Sequence, residues 1–368
     1  MSLKYENDPR IVMTLDAGGT NFKFSAVQGN KLLLPAFSVP SYAFDLDRSL
    51  DAIVGGFERL RQSLPAEPVA ISFTFPGPTD YAHGIVVAPN NLPAYRDVAL
   101  AAMLEEQFQL PVFINNDGDL FTYGEAIAGF LPYVNRLLEE AGSPKRYRNL
   151  FGITLGTGFG GGIVSNGELL GGDNICAGEI WLMRNKLQPE TNAEEGASIR
   201  AVRRVYAALA GLPLDRVPEP KGIFEIGMGQ APGNQAAARE AFRQLGEVVG
   251  DALAQALTLV DGLAVIGGGI SGAWPLFLPA VVDEMNSFYR TPDGGTLRRL
   301  TQFAFNLEDP EQRKVFLKGD RKEITVPRST RKVAYDPMPR TGVGITRLGT
   351  SEAVAIGAYA YALHQLDP

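Results

Sequence analysis

Cysteine is almost missing from this chain of 368 residues: Cys176 stands alone, which excludes a disulfide framework and any site built from several cysteines. Histidine is nearly as scarce. His83 and His364 are two isolated residues, read as surface or packing positions, so no zinc site is expected. An excess of positive charge is missing too; a net charge of −7 offers nucleic acid no basic face. No apolar run approaches the roughly 18 residues of a membrane span, and Met1–Arg10 is polar, which predicts a cytoplasmic protein with no membrane partner. What the chain does have is length and 45% hydrophobic residues, enough for two domains with full cores.

It also has glycine, concentrated in two turns between β-patterned runs. The first joins Ile11–Leu15 to Phe22–Val27 through Asp16-Ala17-Gly18-Gly19-Thr20-Asn21; the second joins Leu150–Leu155 to Ile163–Ser165 through Gly156-Thr157-Gly158-Phe159-Gly160-Gly161-Gly162. Glycines without a Cβ let backbone N–H groups approach an anion, so both turns read as phosphate cradles. The second also fits G-x-G-x-x-G, the dinucleotide fingerprint, but that motif must run straight into a helix. Here Ile163-Val164-Ser165 is followed by Asn166-Gly167, a hairpin signal, so the turn joins strand to strand. No G-x-x-x-x-G-K-[ST] loop exists in the chain.

Strand and helix patterns alternate through the first part of the chain, which predicts an α/β architecture. Pro68–Phe75 and Pro111–Ile114 read as strands, Asp97–Gln107 as a helix capped by Asp97, and Asn115–Asp119 as a loop before helical periodicity from Leu120 to Phe130. Further on, Ser198–Leu212, Ala236–Val260, Leu276–Tyr289 and Ser351–Leu363 are helix-patterned. Gly262–Ile266 is a strand entering a third glycine loop, Gly267-Gly268-Gly269. Arg290–Thr346 reads as an irregular insertion or flap with one strand-like stretch, Glu323–Val326.

Asp16–Lys23 resembles the first phosphate motif of the actin-like ATPase and sugar kinase superfamily, Leu155–Gly162 its second, and Ile266–Gly269 its adenosine motif. Pro76-Gly77-Pro78, Ala88–Pro93, Asn116-Asp117, Tyr123–Ala126 and Gly178-Glu179-Ile180 follow in the order of the ROK family of repressors, open reading frames and sugar kinases. The resemblance implies two actin-like, ribonuclease H-like α/β domains around an interdomain cleft. These are expected at residues 1–130 and 131–350, the latter with the insertion at about 290–346, and residues 351–368 form a terminal helix that packs back on the first domain.

The activity it implies is phosphoryl transfer from Mg-ATP to a hydroxyl, O6, of a hexose or hexosamine. Asp117 is the expected general base. Asn90 or Asn91, Asn116, Asp117, Glu179 and Glu194 are the expected sugar contacts, Glu194 because it lies four residues before Ser198, although Glu195 is adjacent. Asp16 is expected to hold Mg²⁺ through water, Gly18, Gly19, Thr20 and Asn21 to line the phosphates from one side, and Gly156, Thr157 and Gly158 from the other. Gly268 and Gly269 are to face adenosine. Lys23 either neutralises phosphate or stays solvated.

Several departures bear on these expectations. The family's Gly-His after Gly-Glu-Ile, and the cysteine-rich zinc loop that follows it, have no counterpart around Trp181–Asn192. Trp181 is expected to stack on a sugar or fill the vacated volume, and Asp119, in place of the usual asparagine, to raise the pKa of Asp117. A homodimer is implied by resemblance alone. The competing readings are a catalytically weak sugar-binding member and a repressor, the latter disfavoured because its DNA-binding domain precedes a motif that here opens at Asp16.

Overall fold

The computed structural model describes residues 3–367. Two compact units divide the chain: one takes residues up to Pro132, Gly162–Gly178 and the segment from Arg347 onward, and the other takes Tyr133–Gly161 and Glu179–Thr346. The chain therefore passes between units four times.

In the first unit, strands Val12–Ala17 and Asn21–Gln28 form an antiparallel hairpin in which Asp16 faces Lys23. Parallel strands Ala70–Thr74 and Val112–Asn115 extend the sheet on the other side of Val12–Ala17. All five residues of Ala70–Thr74 are buried, as expected of a parallel strand covered on both faces. One face packs on helix Leu46–Ser63 through Phe24, Ile53, Phe57 and Phe73. The other carries helix Thr350–Leu366, which buries Ile356, Tyr359 and Leu363 against Val12 and Val27.

The second unit's sheet runs Leu150–Leu155, Leu263–Gly267, Arg340–Ile345 and Phe303–Asn306 in mutually parallel neighbours, with Phe159–Ser165 on the far side of Leu150–Leu155. Helices Gln235–Val260 and Trp274–Met285 cross at Gly246 and Gly250, where an added Cβ would strike the carbonyls of Phe277 and Val281. At the end of Phe159–Ser165, Asn166 and Gly167 both adopt positive φ, the conformation their dipeptide signals, and Ser165 pairs with Glu168.

Three expectations are corrected. Asp97 caps nothing: it is held at φ +51° with its N–H on the Val87 carbonyl, the chain continues as strand Val98–Ala99, and the helix Leu100–Phe108 begins after it. The loop expected at Asn115–Asp119 is a strand end and a helix start, because Asn116 caps a helix running from Asp117 to Ile127. Arg290–Thr346 is not irregular. It supplies two strands of the sheet and helix Pro310–Lys318, whose start is fixed by Asp309 as cap and Pro310 at the first turn.

Helices Asp117–Ile127 and Thr350–Leu366 touch backbone to backbone. A Cβ at Gly124 would collide with the carbonyl of Ala353, and one at Gly357 with that of Leu120. Both collisions are with backbone, which cannot rotate away. Gly357→Ala is therefore expected to cost about 2 kcal/mol or more, as overpacking does, read as a lowered midpoint in urea unfolding.

Candidate functional site

In the first unit the glycine turn is closed by the Gly18 N–H on the Asn21 carbonyl, 3.1 Å. It is anchored from outside by residues that no motif announced. Ser41 donates to the Gly19 carbonyl, 2.7 Å, and its N–H to that of Thr20, 3.0 Å. Ser49 donates to the Ser41 carbonyl, 2.6 Å, and its hydroxyl pairs with that of Tyr95, 2.9 Å. Burial pushes the Tyr95 phenol up to about 12, with the Ser49 bond acting against it, so it stays a neutral hydroxyl. Nothing local in the sequence marks these residues.

Gly19 also lies against the Asn-Asn-Leu-Pro segment. A Cβ there would sit 3.0 Å from the Asn91 carbonyl oxygen and 3.1 Å from its Cβ, so the structure brings Asn91 to the turn. Asn90 and Asn91 are both exposed, as are Thr20, Asn21 and Lys23.

Asp16 and Asp117 lie within electrostatic reach of one another. Burial lifts the Asp16 carboxyl above the usual range, the charge of Asp117 lifts it further, and Lys23 opposes both. Asp117 opens its helix with the side chain accessible to solvent, yet the protein packed round the carboxyl displaces bulk water and raises its pKa. The Gly118 N–H, 2.8 Å from Asp117 Oδ1 and 2.8 Å from Asn116 Oδ1, partly offsets this. The cause is burial and not the charge of Asp119, as had been expected.

A cavity of about 440 Å³ opens beside Asp16, lined by Thr14, Lys23, Ser25, Thr350 and Ser351 among others. Two carboxylates, Asp16 and Glu352, several hydroxyls and this much room fit a hard cation that keeps its waters. Among the described residues, no group of three or more His, Cys, Asp or Glu is placed to hold a metal directly.

In the second unit, Gly156–Gly158 forms a turn with the Gly156 N–H on the Gly158 carbonyl, 3.0 Å, and the Gly156 carbonyl accepts from Ile199, 2.9 Å. Glu194 braces it. Its Oε2 accepts from Phe159 N–H at 3.0 Å, and its Oε1 is 2.6 Å from Arg200, which also donates to the Thr157 carbonyl at 3.2 Å. Glu195 is occupied elsewhere, by Arg200 and Arg204. Arg200 was missed because only the fold brings it to residue 157.

Gly268, at φ +89°, passes so close to the Leu155 backbone that no other residue fits, whereas Gly269 and Gly156 face open space. Glycine at those last two positions leaves bare backbone for a ligand to approach, the surface a nucleotide requires. Glu179 is exposed and accepts a hydrogen bond from the Trp181 indole, so Trp181 serves as a partner of that carboxylate.

The sequence model of the ROK family matches residues 12–302. The chain belongs to the ROK family. It is a sugar kinase in class, a phosphotransferase with an alcohol group as acceptor. A crystal structure of glucokinase from Parabacteroides distasonis is similar, with 51% identity and a TM-score of 0.88, covering 98% of this chain and 99% of that one. A glucokinase of Halalkalibacterium halodurans is 27% identical over 78% of this chain and 89% of its own, and an N-acetyl-D-glucosamine kinase of Photobacterium profundum 28% over 70% and 83%. A ROK family glucokinase from Streptomyces griseus, solved with glucose and AMPPNP, shares the fold at 21% identity and a TM-score of 0.61, covering 95% of this chain and 98% of that one. No helix among the described residues is long and apolar enough to cross a membrane.

Glu194→Ala would leave the Phe159 N–H and the Arg200 guanidinium without their shared carboxylate. An unsatisfied group of this kind costs about 1–3 kcal/mol, so a lower unfolding midpoint is expected, together with weaker nucleotide binding in calorimetry.

Proposed function

We propose that this protein transfers the γ-phosphoryl group of Mg-ATP to the O6 hydroxyl of a hexose or N-acetylhexosamine, with Asp117 as the general base. The observation that carries this reading is a carboxylate of raised pKa at the start of a helix, near a second carboxylate and a glycine turn fixed by a chain of serine hydroxyls. A base must hold a proton only briefly, and a pKa nearer the working pH than that of a free carboxylate suits that task.

Asp117 accepts the proton of the attacking hydroxyl, and Asn116, its side-chain oxygen engaged by Gly118, offers its amide to the same sugar. Asn91, Glu179 and Glu194 complete the sugar contacts; Asn90 is the weaker choice because only Asn91 meets the glycine turn. Gly18, Gly19, Thr20 and Asn21 line the phosphates on one side, with Gly18 closing the turn and the N–H groups of Gly19, Thr20 and Asn21 offered to phosphate oxygens; on the other side Gly156 closes the turn from which Thr157 and Gly158 offer theirs, while Gly268 and Gly269 lie along the adenosine. Lys23, directly across the hairpin from Asp16, neutralises phosphate charge. Asp16 holds the hydrated Mg²⁺, which when bound spreads the charge developing on the phosphates. The names of the glucokinase and N-acetylglucosamine kinase relatives support the acceptor class.

The test is ADP release with Mg-ATP against a panel of hexoses, amino sugars and their N-acetyl forms. Sugar-dependent release is expected, lost by a factor of about 10³ or more in Asp117→Asn, within the range for removing a base that must also orient the hydroxyl, with sugar binding retained. Turnover unchanged in that variant would remove Asp117 from its role. Silence across the panel with sugar still bound would favour a weakly catalytic binding protein.

The raised pKa values also fix a pH dependence. A carboxyl raised on folding loses stability for the protein as pH climbs through its folded value, so Asp117→Asn should raise the thermal midpoint at pH 7 while abolishing activity. The acid limb of kcat/KM should fall above the ordinary carboxylate value of 3.8.

A further inference from the structure

Glu179 and Glu194 stand at the two ends of a loop that has no apolar core. Of residues 181–190 only Asn185 is buried, so side-chain packing cannot hold the segment in place. The loop closes on itself. Arg184 and Asn192 form an antiparallel bridge, the Asn185 N–H donates to the Thr191 carbonyl at 3.0 Å, and the Ala193 N–H donates to that of Met183 at 2.6 Å. Inside it, Asn185 Oδ1 accepts from the N–H groups of Leu187 and Gln188, at 2.9 and 3.2 Å. These bonds shape the loop without attaching it to the body of the unit.

Lys186 attaches it. Its ammonium lies 2.8 Å from Glu247 Oε1, on helix Gln235–Val260, and 2.5 Å from Glu284 Oε2, on helix Trp274–Met285. Each carboxylate is also held from another side, Glu284 by Arg299 at 3.2 Å and Glu247 by Arg243 at 2.8 Å. Hydrogen bonds between ionised groups are the stronger class. The two helices meet backbone to backbone at Gly246 and Gly250, so a loop clamped to both takes on their rigidity. Trp181–Asn192, the stretch in which the family's zinc loop has no counterpart, is thus cross-linked by an ammonium and two carboxylates.

We propose that Lys186 is a positioning residue of the sugar site, an inference that rests on the kinase reading. The clamp fixes the loop and, through it, the closure at Met183 and Ala193. The Met183 N–H bonds to the Ile180 carbonyl at 3.1 Å, and the single turn Ile180–Leu182 leads back to Trp181 and Glu179. Glu194 has its own bonds to Phe159 and Arg200, whereas the Glu179 carboxylate has, among the described residues, the Trp181 indole alone. Glu179 is therefore the group that depends on the clamp.

Steady-state kinetics of the full chain, with hydrogen exchange across residues 179–197, test this. Lys186→Met keeps the aliphatic stem and removes the charge, Lys186→Arg keeps the charge, and Glu247→Gln weakens one arm of the clamp. In Lys186→Met the KM for sugar is expected to rise about tenfold or more, within what a ~1 Å misplacement of a binding group costs. The KM for ATP stays unchanged, because Glu194 still braces the nucleotide turn, and exchange at Asn185 and Ala193 quickens. Lys186→Arg restores both readouts, and Glu247→Gln shifts them less and in the same direction. Unfolding midpoints separate local release of the loop from loss of the fold; should Lys186→Met not fold, Glu247→Gln carries the test. An active enzyme whose sugar KM neither charge-removing variant moves, or in which the KM for ATP rises as much as that for sugar, overturns the proposal. A wild type silent on every sugar fails the kinase reading itself, and takes this inference with it before any substitution is made.

Discussion

Backbone contact between two helices is the constraint on which the first unit's chemistry rests. Helix Asp117–Ile127 reaches its place because Gly124 and Gly357 remove the side chains that would hold it away from helix Thr350–Leu366. A helix placed by backbone contact has little slack, since carbonyls have no rotamers to exchange. The first residue of that helix is Asp117, so the position of the proposed base is set by packing about one to two turns away. The second unit repeats the device at Gly246 and Gly250.

Onto this frame the protein sets carboxylates under tension. Asp16 and Asp117 are both held above their ordinary pKa, by burial and, for Asp16, by the charge of its neighbour. Neither is neutralised by a direct ion pair of the kind that engages Glu194 and Glu195. The contrast separates two settings of acidic residues: those that brace a turn are paired with arginine, and those proposed to handle the proton and the cation are not. Glu194 is the intermediate case, with both oxygens engaged yet in a position from which the resemblance also calls it to a sugar.

The parts of this arrangement legible in the sequence were those encoded locally. The glycine turns, the Asn166-Gly167 hairpin and the order of strands and helices depend on residues within a few positions of each other. Strand Arg340–Ile345 was not legible, because two of its six residues are glycines and its buried arginine is met by Asp336 and the Met338 carbonyl just before the strand. The serine relay from Gly19 to Tyr95 and the Arg200 bond to Thr157 were hidden for the same reason: each partner is ordinary alone and acquires meaning only when the fold brings in a distant carbonyl. Asp97 shows the opposite failure, a residue with good capping chemistry overruled by a strand that continues past it.

One buried side chain has a consequence for biosynthesis. Glu125, with no exposure, accepts from the Phe130 N–H at 2.7 Å and from the N–H groups of Arg347 and Leu348, each 3.1 Å from Oε1. Its partners are made more than two hundred residues apart, so a ribosome must add that many residues beyond Phe130 before that carboxylate can be satisfied. Until the segment from Arg347 through Leu366 emerges, helix Asp117–Ile127 lacks its glycine-lined neighbour and its acid remains solvated. The first unit to be synthesised is therefore the last to be completed, and a chain stalled or clipped before Arg347 holds a nascent N-terminal sheet with one face bare, a substrate for chaperones and proteases before it is an enzyme.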